Sequence, residues 1–290
     1  MEYFQEKLFP KQLYNTIQQT VFQNKINPEE IRIRIGQAPV VRSMAKEFTC
    51  GEVKATERDI SYILMNATNG AFHTSIDSIQ NGFLSLPNGS RLGICGEGSV
   101  MDHKIYNFRH IHSLCLRIAR ENHGCADFLF ESHYCNGFKN TIIIAPPGVG
   151  KTTLLRECIR KLSNSGYYVG VADERGELSG MHLGKLSFDL GCRTDVICGI
   201  DKPHAASMLL RTMAPDIIAM DEITSLRDLP AITEAIGCGV SLLATIHGND
   251  VADLFKPSMR EILETNVFEL AITIQIQDNQ RIYRTERLHD

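Results

Sequence analysis

The sequence has no tryptophan, no pair of cysteines in C-x-x-C spacing and no long apolar run. Its longest apolar stretches, around Ile142 and Ala271, are far shorter than the ~20 residues that cross a bilayer as a helix. The first residues, MEYFQEKLFPK, show neither the charged start nor the apolar run of a signal peptide. We therefore expect no membrane segment in this sequence, and we expect partners to hold the protein at a membrane if it works there.

The cysteine, histidine and charge content excludes further classes of protein. The nine cysteines are an odd number at mostly wide spacings, which is typical of reduced thiols in a cytosol. His110 and His112 have no second ligand pair at zinc spacing, so they receive no metal assignment. The net charge of −4 gives no general reason to expect nucleic-acid binding.

The first part of the chain is predicted to form a small mixed α/β domain at residues 1–120. The 290 residues are about twice the length of a typical domain, which favours two domains. Four local patterns support the first one: a helix with apolar residues every four positions, an alternating strand, a capping box and a hairpin turn. These patterns are carried by Phe9, Leu13, Ile17 and Val21, by residues 31–35, by Thr56 with Asp59, and by residues 87–90.

The rest of the chain is predicted to contain a linker and a larger α/β domain. Residues 121–139 are polar and mixed, and we expect a linker that includes a short helix. Residues 140–290 alternate apolar runs with helical stretches, which predicts a mainly parallel central sheet with helices on both faces. The strand-like runs lie at 142–144, 167–172, 217–220, 240–246 and 268–276.

A glycine-containing loop follows the apolar run at 142–144 and predicts an ATP site. It fits the Walker A pattern G-x-x-x-x-G-K-[ST] with Ala145 in place of the first glycine. Gly148 and Gly150 let backbone N–H groups surround phosphate oxygens at the start of a helix. Lys151 is expected to face solvent and reach the β- and γ-phosphates, and the Thr152 hydroxyl is expected to ligate Mg²⁺. The predicted nucleotide-binding residues are Ala145, Pro146, Pro147, Gly148, Val149, Gly150, Lys151, Thr152 and Thr153.

An apolar strand that ends in two carboxylates supplies the second part of this site. The run at 217–220 is followed directly by Asp221 and Glu222. Asp221, as the Walker B residue, is expected to bind Mg²⁺ at the carboxyl end of the strand, beside the phosphate loop. Glu222 is expected to polarise or orient the water that attacks the γ-phosphorus. The two motifs together predict an enzyme that hydrolyses the β–γ bond of ATP.

A switch GTPase is the closest alternative, and the sequence argues against it. Residues 173–176 have the form D-x-x-G. The guanine-reading sequence Asn-Lys-x-Asp is absent, because residues 24–27 end in Asn27 and precede the phosphate loop. We therefore predict ATP rather than GTP as the nucleotide.

Four sequence blocks in this order resemble the hexameric secretion ATPases of type II and type IV systems. They are the loop at 145–153, the acidic block at 171–178, the strand at 214–222 and the block at 244–249. The acidic block is similar to the Asp box of that superfamily, and the last block is similar to its His box. Segments at 30–36, 116–120, 173–177 and 191–196 narrow the resemblance to the stage III sporulation protein AA family. The resemblance spans nearly the whole chain and implies a RecA-like fold for residues 140–290.

The resemblance also implies roles for residues outside the two motifs. Glu174 would place the attacking water or Mg²⁺, although a solvated loop charge is the plainer interpretation. His247 would sense the γ-phosphate, although a structural histidine is the plainer interpretation. An arginine from a neighbouring subunit would reach the transferring phosphate. The candidates for it are Arg117, Arg120, Arg175 and Arg193, and Arg193 joins Glu222, Glu174 and His247 as a candidate catalytic residue.

The cellular role that the resemblance implies is a motor for endospore formation. Such a motor would lie in the cytoplasm of the mother cell, peripherally attached to a membrane complex, and power a secretion-like channel to the forespore. The implied partners are further copies in a ring, as a hexamer, and membrane proteins of that complex, with no stable nucleic-acid partner. The alternative is a P-loop ATPase that acts on single-stranded nucleic acid. The acidic net charge and the lack of tryptophan count against that alternative.

Overall fold

The protein divides into two compact units, Met1–Ala119 and Arg120–Asp290. A computed structural model describes residues 6–43, 46–68, 70, 82–86, 89–101, 104–119, 121–181, 184–256, 259–277 and 280–288. No helix in these ranges combines the length and the apolar content that crossing a membrane requires.

The described residues of the first unit form a six-stranded antiparallel sheet, two α-helices and a short 3₁₀ helix at Glu6–Leu8. The strand order is β3-β2-β1-β6-β5-β4. The strands are β1 Glu30–Arg34, β2 Val40–Ser43, β3 Lys46–Thr49, β4 Phe83–Ser85, β5 Arg91–Met101 and β6 Lys104–Arg117. The helices are α1 Lys11–Gln23 and α2 Glu57–Ala67.

The local patterns of the first unit are confirmed where the structure describes them. Helix α1 starts after Pro10 and buries Leu13, Ile17 and Val21. In β1 the alternation buries Ile31 and Ile33 against the helices. The capping box at Thr56 closes with Asp59 in both directions, and β4 pairs with β5 as the hairpin requires. Residues 87 and 88 of the predicted turn lie outside the described ranges.

The second unit is a seven-stranded sheet between two layers of helices. The strand order is β13-β12-β7-β11-β10-β8-β9, and every neighbouring pair is parallel except β12 and β13. The strands are β7 Thr141–Ala145, β8 Val169–Asp173, β9 Thr194–Cys198, β10 Ile217–Met220, β11 Ser241–His247, β12 Leu270–Gln277 and β13 Gln280–Arg287. The helices are α3 Asp127–Ser132, α4 Lys151–Asn164, α5 Lys202–Thr212, α6 Ser225–Gly237 and α7 Arg260–Glu264, with a 3₁₀ helix at Val251–Phe255. The predicted mainly parallel sheet is therefore confirmed.

Each face of this sheet is covered because its central strands are apolar on both sides, as expected for parallel strands. Ile143 packs on one face with Leu155 of α4, whereas Ile142 and Ile144 pack on the other with residues of α5 to α7. The segment at 121–139, which we expected to be a linker, contributes the fully buried Leu129 to the first of these cores. The polar composition of the segment gave no indication that Leu129 would be buried. The segment packs as part of the second unit.

Candidate active site

The carboxyl ends of six parallel strands lie at one edge of the second sheet. In the strand register, Ala145 at the end of β7 lies opposite His247, and Met220 lies opposite both Ala244 and Ala172. The residues that follow these strands are therefore neighbours, although Ala145 and His247 are 102 positions apart in the sequence. This edge is where open α/β sheets bind ligands.

The phosphate loop joins the end of β7 to the start of α4. Gly148 has a φ of 77° and Gly150 a φ of 117°, a left-handed region that only glycine enters at little steric cost. Glycine turns at the start of a helix are a typical anion-binding backbone, because their N–H groups are free to donate and the helix N-terminus adds positive potential. Arg281 of β13 donates from Nε to the Val149 carbonyl at 2.7 Å. A Cβ atom at Gly150 would lie 3.0 Å from that nitrogen.

Lys151 does not face solvent, and this part of the prediction was wrong. Its side chain folds back onto its own loop, and Nζ donates to the carbonyls of Ala145 at 2.8 Å and Pro146 at 3.1 Å. The residue is only 5% exposed. Burial lowers the pKa of Lys151, while the charges of Glu222 and Asp221 act in the opposite direction. The lysine nevertheless lies at the phosphate loop, since both carbonyls that it contacts belong to loop residues.

A histidine connects Lys151 to the second motif. Lys151 Nζ lies 2.9 Å from Nδ1 of His247, and Nε2 of the same ring lies 2.9 Å from Oε1 of Glu222. Because an ammonium group can only donate, Nδ1 accepts. The neutral ring then carries its proton on Nε2 and donates it to Glu222. The structure thus brings His247 and Glu222 together with the phosphate loop.

The residues predicted to hold Mg²⁺ are adjacent and fit that ion. Thr152 Oγ1 donates to Asp221 Oδ2 at 2.7 Å, and the hydroxyl of Thr245 donates to the other carboxylate oxygen. Mg²⁺ in such sites takes one or two protein oxygens along with phosphates and water. Burial raises the pKa of Asp221, while hydrogen bonds from Thr245 and Thr152 lower it. A divalent cation here would offset the cost of the buried negative charge.

Glu222 is held by its backbone as well as by its side chain. Its φ is 51°, which is unusual for a residue with a side chain and is typical of functional sites. Its N–H donates to Thr245 Oγ1 at 2.8 Å. Arg175 donates to the second carboxylate oxygen at 3.2 Å. Thr245 therefore fixes Asp221 and Glu222 together, and sequence reasoning missed it. Strand periodicity, which puts Thr245 and His247 on the same face, was the available indication.

The acidic loop after β8 is braced by two buried residues that were not predicted. Asp173 accepts hydrogen bonds from the backbone N–H groups of Glu177, Leu178 and Ser179 at 2.9, 3.2 and 2.8 Å. Arg156 of α4 donates to the carbonyls of Glu177 and Leu178 at 2.8 and 2.9 Å. The first acid of the block is thus structural, and helix α4 couples this loop to the phosphate loop.

Glu174 lies near the site, but its carboxylate contacts different residues from those that the Glu222 carboxylate contacts. Its carboxylate pairs with Arg227 and lies 3.7 Å from Lys202. Glu174, Asp221, Glu222 and His247 line one cavity of about 540 Å³.

The candidate arginines are placed very differently. Arg175 contacts Glu222, as described above. Arg193 precedes β9 at the opposite edge of the sheet, where its guanidinium lies 5.2 Å from the ring centre of Tyr168. It is thus not part of the site in its own chain. Arg117 belongs to the first unit, where it lies 3.9 Å from Glu30, and Arg120 lies outside the described residues.

The sequence matches the family model described as "Sporulation stage III, protein AA" over residues 5–284. The Bacillus subtilis (strain 168) protein named "Stage III sporulation protein AA" is 32% identical over 270 residues, which cover 91% of this chain and 87% of that protein. The match to this family, predicted from the sequence, is confirmed.

Two solved structures show which fold the chain shares. The Legionella pneumophila ATPase DotB has a TM-score of 0.63 at 15% identity, covering 98% of this chain and 82% of DotB. The pilus retraction motor PilT, solved with bound ADP, has a TM-score of 0.60 at 17% identity, covering 94% of this chain and 81% of PilT. At these identities the likeness shows the fold alone, and it confirms the predicted RecA-like ATPase fold.

Proposed function

This chain belongs to the sporulation stage III protein AA family, and we propose that it is an ATP-hydrolysing motor of the secretion-ATPase type. The observation that carries the proposal is the continuous set of contacts from the phosphate loop to the second motif. Lys151 reaches His247, His247 reaches Glu222, and Thr152 reaches Asp221, each at 2.7 to 2.9 Å.

In the proposed reaction the chain binds ATP through its loop and positions water through Glu222. The loop N–H groups and the start of α4 bind the phosphates, and Lys151 leaves its loop carbonyls to contact the β- and γ-phosphates. Mg²⁺, held by Thr152 and Asp221, would neutralise charge that develops on the phosphate oxygens. Glu222 accepts a proton from, or orients, the water that attacks the γ-phosphorus. His247 keeps the carboxylate in place through its Nε2 hydrogen.

The proposed cellular role follows from the family. We place the protein in the mother cell, on the cytoplasmic side of a membrane complex, where it powers a secretion-like channel to the forespore. Further copies in a ring, as a hexamer, and membrane proteins of the complex are the proposed partners. The family match and the fold shared with a pilus motor support this role.

Phosphate release by the purified protein tests the proposed activity. We expect turnover with Mg·ATP, and loss of turnover on chelation of Mg²⁺ or in Lys151→Ala. GTP should be a poor substrate. Stimulation by single-stranded DNA, with binding that weakens steeply as salt rises, would instead favour the nucleic-acid ATPase. Absence of hydrolysis at every protein concentration, also with membranes of sporulating cells added, would contradict the proposal.

A further inference from the structure

We propose that Lys202 is a positioning residue for the candidate catalytic Glu222, and that Asp228 is its buried counter-charge. This inference rests on the proposed function, because it assigns a role in the same site. Lys202 is the first residue of α5, 20 positions before Glu222, and it is 7% exposed. A lysine is rarely so deeply buried unless it is paired. The partners of Lys202 therefore indicate what its buried charge does.

The ammonium group of Lys202 contacts the backbone of Glu222 directly. Nζ donates to the Glu222 carbonyl at 2.9 Å. The same residue has the left-handed φ of 51°, a conformation that persists only where surrounding contacts enforce it. Its N–H is held by Thr245 and its carbonyl by Lys202. The two contacts fix the peptide groups on either side of the Glu222 Cα and thereby the direction of its side chain.

Asp228 of α6 is the charge partner of Lys202. It also accepts a hydrogen bond from the loop that joins Glu222 to α6. Its side chain is 0% exposed, and Oδ2 lies 3.2 Å from Lys202 Nζ. The same oxygen accepts from the Thr224 N–H at 2.7 Å. Its other oxygen, Oδ1, is buried and makes no hydrogen bond within the described part of the chain. Lys202 is therefore the cation that neutralises this carboxylate, and removal of Lys202 alone would leave a charge buried.

The same lysine also lies beside the second candidate acid. Glu174 Oε2 is 3.7 Å from Lys202 Nζ. One buried cation thus borders the loop that carries Glu222 and the loop that carries Glu174. Its charge attracts the Glu174 carboxylate across 3.7 Å, while its short hydrogen bond goes to the Glu222 carbonyl. This arrangement assigns Lys202 a geometric role in the chain's own site, through its hydrogen bond to the backbone of Glu222.

The test replaces the buried pair while keeping the protein folded. Lys202→Met alone leaves Asp228 unpaired and endangers folding, so the main variant combines Lys202→Met with Asp228→Asn. The asparagine keeps an oxygen that can accept from the Thr224 N–H. Lys202→Arg is the conservative variant, since it keeps the charge. Lys256→Met is the matched control, because Lys256 lines the same cavity but pairs with Asp253 at 2.7 Å.

Melting temperature, ATP affinity, kcat and KM are measured for each variant in the full chain. We expect the double variant to melt near the wild type and to bind ATP within about twofold, while kcat falls about 10- to 100-fold. That range follows the sensitivity of rates to misplacement of a reacting group by about 1 Å. The kcat of Lys202→Arg should lie between those of the double variant and the wild type. Lys256→Met should keep the wild-type melting temperature, ATP affinity, kcat and KM.

A cycle with Glu222→Gln shows whether Lys202 acts through Glu222. If it does, adding the double replacement to Glu222→Gln should lower kcat by less than threefold further, because the group to be positioned is already gone. An undiminished effect in that background, or wild-type kcat in the folded double variant, would overturn the inference while leaving the ATPase intact. Loss of ATP binding equal to the loss of kcat would also overturn it. Absence of hydrolysis by the wild type would overturn the proposed function and this inference together.

Discussion

His247 Nε2 lies 2.9 Å from Glu222 Oε1, and Nδ1 of the same ring lies 2.9 Å from the ammonium group of Lys151. One histidine therefore joins the residue that would bind the γ-phosphate to the residue that would position the attacking water. In the proposed reaction Lys151 moves to a phosphate, and Nδ1 of His247 would then lose its donor. Because the other nitrogen of the same ring contacts Glu222, we propose that this histidine transmits nucleotide binding to the candidate catalytic carboxylate.

Lys151→Ala should abolish ATP binding with only a small change in melting temperature. The substitution removes the cation that would bind the phosphates. Of the two carbonyls that Nζ now contacts, that of Ala145 also accepts from the Gly248 N–H at 3.3 Å, and that of Pro146 belongs to a partly exposed residue. Isothermal titration with ATP measures the affinity. The control is Lys161→Ala on the same helix, where the side chain pairs with Asp127. Unchanged affinity in Lys151→Ala would remove Lys151 from the nucleotide site.

Arg281→Ala should weaken ATP binding about tenfold or more. Its guanidinium bonds to the Val149 carbonyl of the phosphate loop, so the change removes both a brace and a positive charge next to a polyanion. Charge-assisted hydrogen bonds contribute about 1.5–3 kcal/mol, which corresponds to this range of affinity. The matched control is Arg284→Ala, an exposed arginine on the same strand. Equal affinities for the two variants would show that Arg281 matters to neither the loop nor the ligand.

Glu157→Gln should destabilise the second unit near neutral pH and much less in acid. Burial acts to raise the pKa of Glu157, but hydrogen bonds from Arg160 and the Gly124 N–H outweigh it and hold the pKa below its ordinary value. The stabilisation is therefore present above the unfolded pKa of about 4.3 and is lost as pH falls through the folded one. We expect a cost of about 1–2 kcal/mol at pH 7.

Urea unfolding of the wild type and Glu157→Gln at pH 7 and at a series of pH values below about 4.3 measures this difference. The exposed Glu261→Gln serves as the control, since it should change stability little at either pH. A gap between wild type and Glu157→Gln that stays constant or widens toward acid would contradict the assigned hydrogen bonds.

Specific activity should rise with protein concentration if a neighbour completes each site. Arg193 lies at the far edge of its own sheet, so it could act only on the site of another copy. We expect a weak, mostly monomeric ATPase at low concentration and a ring that forms with ATP, at high concentration or with a docking partner. Sedimentation and ATPase assays over a dilution series measure this. If specific activity does not change with concentration and the protein stays monomeric with ATP present, the isolated protein does not form a ring. Assembly would then require a docking partner.

The elements that the sequence predicted best are those set by local patterns. The glycine positions of the phosphate loop and the acidic end of the 217–220 strand depend on neighbouring residues, and their convergence follows from parallel strands ending at one edge. Helix α1 and the Thr56 capping box are equally local.

The features that sequence reasoning missed depend on contacts between distant segments. Arg281 reaches the phosphate loop only because β12 pairs with β7 and β13 follows it, an order that no local pattern encodes. The partners of Lys202 lie on three other segments. The inward turn of Lys151 reflects acceptors in its own loop, and the burial of Leu129 depends on its fit against the core rather than on a recognisable apolar run.

The most direct measurement is single-turnover hydrolysis of Mg·ATP by wild type and Glu222→Gln at equal nucleotide occupancy. Glutamine keeps the shape and one acceptor oxygen but cannot take a proton. The account predicts unchanged ATP binding and a hydrolysis rate lower by about 10²-fold or more, with Glu174→Gln losing less. Wild-type turnover in Glu222→Gln, together with a collapse in Glu174→Gln, would contradict the assignment and move the catalytic role to the acidic loop.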